Sequence, residues 1–454
     1  MPKKKIWLLL IVSLICSAGM LWAGGGQEAA KPSATMGEGF DWQRFEGTRL
    51  VINWSPNQAN NYINANIGEF EALTGMKVEV DQIDYMRMHD KQVLEMTKPT
   101  GDYDLISLVV MWKTEYVDGD MLTELEPLFA DSNLAVPDYD FDDLVKAFVD
   151  NTGRVGGEKI YMGGPGSKLY CVPFGAETSI MAYRKDVLDA TGVAVPKTYD
   201  ELRAAFPKVV DPNNKVYAFT MRGASGHQAT HGFLNHLNPT GGKVFDANWN
   251  PIVNSPEALR ALAFQKEAVK YGAPGIPGFE AGSMDESFLQ GQAVFYIDHD
   301  KIAGLARDPA QSKVDGKVGY ALHPKDKIYS AETGGFGIGI PANSANKEAA
   351  FLLMQWATTK EMGVRVAEAG GMAVRNSVYG DPQLQAKYPE FKVLVEQIKY
   401  ADPDWRPIIP EWGEINQTIG VAVNQVLTGE KSAKAAMDGI IQPIRDIMQR
   451  AGYY

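Results

Sequence analysis

The 454-residue chain has little cysteine, and its two cysteines, Cys16 and Cys171, lie far apart. If the segment carrying Cys16 is removed on export, one thiol remains, which excludes an intrachain disulfide and a metal site built on several cysteines. Positive charge is also scarce, because 44 Lys and Arg face 56 Asp and Glu, for a formal net charge of −12. We therefore expect neither nucleic acid nor an anionic membrane surface as the main partner.

Long hydrophobic runs are missing as well, apart from Ile6–Ile15 near the N-terminus. This run is shorter than the roughly 20 apolar residues of a membrane span. It follows the basic residues Lys3–Lys5 and precedes small residues up to Ala23. The pattern predicts an export signal over residues 1–23, cleaved near Ala23.

Two alternatives for this segment stay open. The first is an uncleaved membrane anchor, and the second is lipid attachment at Cys16, although Ser13-Leu14-Ile15 lacks the small residue usual before a lipidated cysteine. Residues 24–40 are rich in Gly, Ala, Ser and Glu and have almost nothing to bury, so we expect a flexible tether there. Export predicts a periplasmic or other extracytoplasmic location.

The folded part begins with alternating strands and helices. The patterns predict strands at Arg49–Trp54, Lys77–Gln82 and Tyr103–Val110, separated by helices at Ala59–Thr74 and Tyr85–Thr97. Such alternation is typical of a parallel sheet built from βαβ units. Right-handed crossovers place the residues that follow the first and third strands at the carboxyl edge of this sheet, where α/β proteins bind ligands.

A second α/β body follows along the chain. Its predicted elements are a strand region at Tyr170–Tyr183, a helix after Thr198, a strand at Tyr217–Met221, a segment at His227–Leu237, a helix at Pro256–Lys270 and a strand at Ala293–Ile297. A glycine-rich strand at Gly334–Pro341 and a helix at Lys347–Thr358 come next. We expect Trp356 on the apolar face of that helix to lie in the core.

The segment Tyr170–Leu202 carries the clearest local signals. Asp186 can cap a short helix that stops at Gly192, Pro196 blocks its continuation, and Thr198-x-x-Glu201 forms a capping box for the next helix. As a whole, the VPF, YRKD and P-x-T-Y-D-E-L motifs of this segment resemble those of the extracellular solute-binding proteins that serve ABC importers of sugars. Weaker markers of the same family follow in its usual order, among them Gly101-x-Tyr103-Asp104, Asn254-Ser255-Pro256-Glu257 and Leu427-Thr428-Gly429.

The resemblance implies a two-lobed α/β fold of the type II periplasmic-binding-protein class, with parallel-type sheets in each lobe and a ligand cleft between them. It implies residues 41–155 and 330–372 in the first lobe, and residues 156–329 and the helical 373–454 in the second. The segment from Asp246 through Trp249 to Pro251 is similar to the branch that carries sugar alcohols such as sorbitol and mannitol, although disaccharide carriers share much of it. The implied partners are a small carbohydrate or polyol and ABC permease subunits, with a monomeric protein and no cofactor.

Sugar and polyol sites combine planar hydrogen-bonding groups with aromatic rings. Trp54 and Trp112 follow predicted strands, and Glu177 lies in a loop beside a predicted hinge strand. Solvated or surface-paired side chains are the alternative for the charged candidates, and for the tryptophans the alternative is a place in the core. The expected ligand-binding residues are Trp54, Asn57, Trp112, Phe174, Glu177, Arg222, Asp298, Phe336, Arg375, Trp405 and Trp412, with only one of the last two facing the cleft.

Three competing hypotheses follow from the same residues. The spacing of His227, His231 and His236 raises a zinc site, but no HExxH pattern or nearby cysteine accompanies it. The glycine run at 334–339 lacks the Lys-Ser/Thr of a phosphate loop. An exported glycoside hydrolase would need two carboxyl groups roughly 5–10 Å apart, for which Glu177 and Asp298 are the pair available.

Overall fold

The computed structural model describes residues 39–454. The predicted export signal, Cys16 and residues 24–38 of the predicted tether lie outside these residues. Within residues 39–454, no helix has the length and hydrophobicity that a membrane crossing requires. The strands are β1 (Arg49–Trp54), β2 (Lys77–Gln82), β3 (Leu105–Val109), β4 (Arg154–Val155), β5 (Lys168–Leu169), β6 (Cys171–Glu177), β7 (Ser179–Arg184), β8 (Tyr217–Thr220), β9 (Ala293–His299), β10 (Val318–Ala321) and β11 (Gly334–Gly339).

Helices connect and cover these strands. They are α1 (Gln58–Thr74), α2 (Tyr85–Met96), α3 (Lys113–Asp118), α4 (Glu126–Ala130), α5 (Lys146–Phe148), α6 (Lys185–Thr191), α7 (Tyr199–Val209), α8 (His227–Leu237), α9 (Pro256–Tyr271), α10 (Ala281–Leu289), α11 (Ile302–Ala306), α12 (Lys347–Ala357), α13 (Lys360–Glu368), α14 (Asn376–Tyr379), α15 (Pro382–Lys387), α16 (Glu390–Gln397), α17 (Trp412–Leu427) and α18 (Ala433–Arg450).

The strands form two main sheets, each with its own hydrophobic core, and these define the two lobes. The first lobe has the five-stranded sheet in the order β2-β1-β3-β11-β6, and the second has the four-stranded sheet β10-β7-β9-β8. The predicted two-lobed α/β architecture is confirmed. The pairing is mixed, however, because only β1 with β2 and β3, and β8 with β9, run parallel.

The antiparallel pairs have a clear origin in the chain path. Strand β11 enters the first sheet from the side of the second lobe, whereas β6 leaves the first sheet toward the second lobe, so β11 runs antiparallel to both of its neighbours, β3 and β6. Thr178 is the single residue between β6 in the first sheet and β7 in the second. The chain therefore crosses between the lobes at Thr178, in the middle of the predicted strand region.

The lobe boundaries differ from those expected on two counts. Strand β6 lies in the first sheet, although the expected boundary at 156 assigned it to the second lobe. The apolar residues of 373–394, including Tyr379 and Phe391, pack into the first core, whereas the later helices α17 and α18 pack into the second. The hydrophobic cores thus divide the C-terminal part near residue 400, because the side chains before and after that point bury against different sheets.

Local signals in the hinge segment act largely as predicted. The Thr198 side chain accepts a hydrogen bond from the Glu201 backbone N–H at 3.2 Å, and Gly192 ends α6 in the left-handed region at φ +67°. Asp186 is not the cap of α6, because the helix already begins at Lys185. Instead, the Asp186 carboxylate accepts hydrogen bonds from Arg184 at 2.8 and 2.6 Å.

Two glycine contacts bring backbone against backbone. A Cβ atom on Gly304 of α11 would lie 2.3 Å from the carbonyl oxygen of Gly370, where the second lobe meets the segment after α13 of the first. A Cβ atom on Gly420 of α17 would lie 1.9 Å from the carbonyl oxygen of Gly226, which precedes α8. Each contact requires glycine, since a Cβ at such distances would force the two elements apart.

Candidate functional site

A cavity of about 210 Å³ lies between the two sheets. It is found where several strands end, because its walls include the loop after β1, the last residue of β3 and the segment after β8. This is the edge at which open α/β sheets bind ligands. The lining residues are Ser55, Pro56, Asn57, Gln58, Tyr85, Val109, Glu177, Arg222, His227, His231, Ala281, His299, Lys301, Gly335, Phe336, Met372 and Arg406.

The wall from the first lobe is uncharged. Asn57 caps α1, because its Oδ1 accepts a hydrogen bond from the Asn60 backbone N–H at 2.8 Å, and this fixes the loop that follows β1. Tyr85, at the start of α2, and Phe336, in β11, meet edge to face with ring centroids 6.5 Å apart. These two rings are the aromatic surface of the cavity and can cover the C–H groups of a ligand.

Phe336 reaches this position through an irregularity in β11. The register between β11 and β6 shifts between Gly335 and Gly337. Gly335 has φ +79°, and a Cβ there would lie 2.3 Å from the carbonyl oxygen of Gly175. The glycine-rich run is therefore a bulged strand beside the cavity, as its strand pattern predicted, and not a phosphate loop.

The wall from the second lobe is built on a buried ion pair. Arg222 follows β8 and donates through Nε to Asp298 Oδ2 of the neighbouring strand β9 at 3.1 Å, and its Nη2 donates to Oδ1. The side chains of Arg222 and Asp298 are 7% and 2% exposed. Burial works against ionisation of Asp298, but the guanidinium holds the pKa of this carboxyl well below its usual value. The pair is thus charged and fixed in place.

His231 extends this network. Its Nε2 lies 2.9 Å from Glu332 Oε2 and 3.5 Å from Asp298 Oδ1. Although burial and Arg222 lower it, the pKa of His231 is raised by the two carboxylates. A protonated His231 would therefore neutralise Glu332, which is fully buried.

Glu177 lies at the hinge, as the last residue of β6, and its carboxyl group lines the cavity. Burial first, and then the nearby carboxylate of Glu332, raise the pKa of Glu177 to about 7. Burial and Glu177 also raise the pKa of Asp300 well above its usual value. Glu177 therefore titrates near neutral pH.

Arg406 approaches the cavity from the segment between α16 and α17. It is 4% exposed, and its guanidinium lies 4.8 Å above the ring of Trp405. Burial lowers the pKa of Arg406 to about 10, so it stays charged at neutral pH. Trp405 itself is in the layer behind, where its indole N–H donates to the carbonyl oxygen of Thr333.

Three further groups complete this wall. Burial lowers the pKa of His227 and that of His299 well below the usual value, so both rings are neutral. His227 Nδ1 lies 3.1 Å from Asn416 Nδ2. Lys301 is held 3.4 Å from the carboxylate of Asp285, which neutralises it. The second lobe and the hinge therefore supply all the charged groups that line the cavity.

His231, Asp298 and Glu332 offer ligand atoms that lie within 4.8 Å of one another. Arg222 already donates to both oxygens of Asp298, and its fixed positive charge opposes a metal cation at the same place. The predicted histidine triad does not form a centre either, because His236 lies deep in the second core, 2.8 Å from the hydroxyl of Tyr199. His231, Asp298 and Glu332 therefore form a buried group of opposite charges around Arg222.

The structure brings four of the expected ligand-binding residues together at the cavity: Asn57, Glu177, Arg222 and Phe336. Asp298 lies directly behind, where it orients Arg222. The remaining six do not line the cavity.

Trp54 and Phe174 stack on each other in the first core, with ring centroids 6.0 Å apart, because both side chains point to the buried face of the sheet. Trp112 packs against His89 and Tyr116 beside the cluster under α3. Trp405 and Trp412 are 2% and 1% exposed and belong to the second core.

Arg375 is fully buried in the first lobe. It donates through Nε to the carbonyl oxygen of Thr358 at 2.8 Å, and its other nitrogens donate to the carbonyl oxygens of Asp140 and Tyr139 at 2.8 and 3.0 Å. The side chain thus satisfies buried backbone carbonyls, so its positive charge serves the fold and does not reach the cavity.

Sequence reasoning missed several lining residues, above all Tyr85, Lys301 and Arg406. Tyr85 was visible as the first residue of a helix that follows a strand at the binding edge. Arg406 follows Trp405 directly, so attention to the charged neighbour of the tryptophan would have found it. Lys301 carried no distinctive signal beyond its place just after β9.

Comparison with known proteins identifies the family to which the chain is similar. Residues 53–364 match the family model described as bacterial extracellular solute-binding protein. The mannitol-binding protein of Pseudomonas aeruginosa is 30% identical over 344 residues, which cover 70% of this chain and 75% of that protein.

Solved structures of solute-binding proteins superpose over nearly the whole described part. The ribitol complex of an ABC transporter solute-binding protein from Agrobacterium radiobacter K84 has a TM-score of 0.78 at 28% identity, covering 88% of this chain and 99% of that one. The D-mannitol complex of a solute-binding protein from Agrobacterium vitis S4 has a TM-score of 0.75 at 26% identity, covering 89% and 99%. Both relatives bind acyclic sugar alcohols.

Proposed function

Since the chain belongs to the bacterial extracellular solute-binding proteins, we propose that it captures an acyclic sugar alcohol or a small sugar outside the cytoplasmic membrane and delivers it to an ABC permease. The observation that carries this proposal is the cavity between the two lobes, which has charged and hydrogen-bonding side chains on one wall and the rings of Tyr85 and Phe336 on the other. The same proposal includes a monomeric state and cleavage of the export signal near Ala23, with lipid attachment at Cys16 as the alternative.

The size and lining of the cavity favour a small acyclic ligand. Its volume of about 210 Å³ lies below the roughly 300–1,000 Å³ of pockets for drug-sized molecules. Oligosaccharide sites use large aromatic platforms, but here none of the predicted tryptophans lines the cavity, and its larger aromatic rings are those of Tyr85 and Phe336. A polyol matches this lining, because each hydroxyl can both donate and accept a hydrogen bond.

Binding would proceed by closure of the lobes. The ligand contacts both lobes only when the cleft is shut, so its binding energy shifts the equilibrium toward the closed form. The arrangement requires no covalent step, since Asp298, one of the two carboxyl groups considered for hydrolysis, is occupied by Arg222.

The test is a ligand screen by thermal unfolding and calorimetry with ribitol, D-mannitol, D-sorbitol, maltose and a set of L-amino acids. A ligand present at 100 times its dissociation constant should stabilise the protein by about 2.7 kcal/mol, and X-ray scattering should show a smaller radius of gyration. Stabilisation by amino acids with no response to any polyol or sugar would contradict the proposal. Turnover of a chromogenic glycoside that is lost in Glu177→Gln would contradict it as well.

A matched pair of variants tests the site. Phe336→Leu removes a ring from the cavity wall, and we expect roughly tenfold weaker polyol binding. Phe141→Leu makes the same change at a partly buried ring beside Phe129 in the first lobe, and should leave the affinity unchanged. Equal affinities for the two variants would place the ligand elsewhere.

A further inference from the structure

Arg406 is an unpaired buried cation. Within residues 39–454 no carboxylate lies within ion-pair distance of its guanidinium, and its buried Nε has no hydrogen-bond partner. The guanidinium lies over the ring of Trp405, and the carboxylates of Glu332 and Glu177 act on it electrostatically from beyond ion-pair distance. An isolated charge in a protein interior destabilises the fold unless a partner arrives, which makes such a group a candidate for contact with a ligand.

Glu177 is the matching unpaired anion. Its carboxylate has no hydrogen bond and no ion pair with any other residue that the structure describes, and it lines the same cavity. The other charged groups of this wall already have partners. Arg222 is bound to Asp298, and Lys301 lies beside Asp285.

The two unpaired groups face a common point. A Cβ atom built on Gly334 would lie 3.6 Å from Arg406 Nη2 and 3.7 Å from Glu177 Oε1. These two atoms are therefore at most about 7 Å apart, and they are too far apart to form an ion pair. Both residues line the cavity, and a ligand oxygen atom between them would make hydrogen bonds of about 3 Å to each side.

We infer that Arg406 and Glu177 form a specificity-determining clamp, in which Arg406 donates to one hydroxyl of a neutral polyol while Glu177 accepts from the same or the adjacent hydroxyl. The inference rests on the proposed function and adds the chemical class of the ligand. A hydroxyl group satisfies both sides, since it accepts and donates. A sugar acid would satisfy Arg406 but would bring its own carboxylate against Glu177, so the clamp selects alditols over aldonates.

The experiment measures dissociation constants by calorimetry for ribitol, D-mannitol, D-sorbitol and D-gluconate, the last of which is D-sorbitol with a terminal carboxylate. The variants are Arg406→Gln and Glu177→Gln. Matched charge controls are Arg260→Gln and Glu257→Gln, whose side chains pair at the surface with Asp326 and Lys327. Thermal unfolding checks that each variant is folded, and Arg406→Lys, which keeps the charge but loses the forked donors, replaces Arg406→Gln if that variant does not fold.

We expect the wild type to bind an alditol at least tenfold more tightly than gluconate. Arg406→Gln should bind the alditol 10- to 100-fold more weakly, because one side of the clamp is lost. Glu177→Gln should also weaken alditol binding. The ratio of the gluconate to the alditol dissociation constant should fall by at least tenfold, so that the preference for the alditol is narrowed or reversed. The two control variants should bind like the wild type.

Two results would overturn the clamp while leaving the proposed function intact. One is alditol binding within twofold of the wild type in both clamp variants, and the other is wild-type binding of gluconate as tight as that of the alditol. If the wild type binds none of the alditols or sugars, the proposed function fails and the clamp falls with it.

Discussion

Replacing Glu177 by Gln should stabilise the ligand-free protein, and the stabilisation should grow as the pH rises above 4.5 and level off above about 7. In the folded protein, burial and the Glu332 carboxylate raise the pKa of Glu177 from its ordinary 4.5 to about 7. The folded state therefore holds a proton more tightly than the unfolded state does. The contribution of Glu177 to stability is greatest below pH 4.5 and falls as the pH rises towards 7, because the carboxyl ionises in the unfolded state while the buried carboxyl still resists ionisation.

The magnitude follows from the two pKa values. At about 1.4 kcal/mol for each tenfold change, a rise from 4.5 to about 7 corresponds to about 3 kcal/mol, of which about 2 to 3 kcal/mol is lost between pH 5 and pH 8. Gln has a similar shape and carries no charge, so the Gln variant should not lose this free energy of unfolding as the pH rises. The groups that share the field of Glu177 are Glu332, Asp300, Arg222, His231, Lys301 and Arg406.

The assay is urea unfolding of the wild type and Glu177→Gln, without ligand, at several values between pH 5 and pH 8. Because groups with unchanged titration cancel, the difference in unfolding free energy between the two proteins should grow by about 2 to 3 kcal/mol across this range. Glu286→Gln, an exposed change on α10, serves as the control and should show no such trend. A difference that stays constant to within about 0.5 kcal/mol would refute the reasoning, because Glu177 would then titrate alike in both states.

Three further predictions concern packing. Gly304→Ala should weaken ligand binding by roughly tenfold while the protein stays folded, because the added methyl group would keep the lobes from closing. The control is Gly282→Ala, whose added methyl group meets no neighbour, and it should bind the ligand as the wild type does. Calorimetric titration measures both variants. Gly420→Ala should lower the free energy of unfolding, measured with urea, by about 1–3 kcal/mol or more. Gly439→Ala in α18, where the added methyl group meets no neighbour, should raise the free energy of unfolding by up to about 1 kcal/mol. Trp54→Phe should lower stability by about 1–3 kcal/mol and leave the dissociation constant for the best polyol unchanged; a loss of affinity at normal stability would return Trp54 to the site.

Much of the fold could be predicted because local patterns decide it. The bounds predicted for the strands Arg49–Trp54 and Lys77–Gln82 and for the segment His227–Leu237 agree with those observed, and the helix predicted at Pro256–Lys270 is one residue longer. Period-two and period-3.6 burial leave a direct trace in the sequence. The direction in which β6 and β11 join the first sheet leaves none, since it depends on contacts between residues more than 150 positions apart.

The site was predicted where position decides and missed where packing decides. Asn57 and Arg222 follow strands at the binding edge, so their position in the topology, together with the family resemblance for Arg222, predicted them at the cavity. Trp54 shares one face of β1 with Leu50 and Ile52, both fully buried, and this alternation already pointed to the core. The position of Arg375 could not be predicted from local sequence, because its guanidinium donates to three backbone carbonyl oxygens from segments that are distant in the chain.

The division of charge between the walls has a consequence for the order of events in binding. The charged groups belong to the second lobe and the hinge, where two hydrogen bonds to Asp298 fix Arg222 and His231 lies at ion-pair distance from Glu332. A polyol can therefore exchange its hydration shell for preorganised partners on the open second lobe, at little cost in side-chain entropy.

The uncharged wall then acts as the cover. Tyr85 and Phe336 gain contact only after the lobes approach, and the water they exclude strengthens every hydrogen bond beneath them. Closure is thus driven by the C–H surface of the ligand, while selectivity is set beforehand by the polar groups. On this argument, a change in the second lobe should alter which polyol binds, and a change in the first lobe should alter how tightly all of them are held.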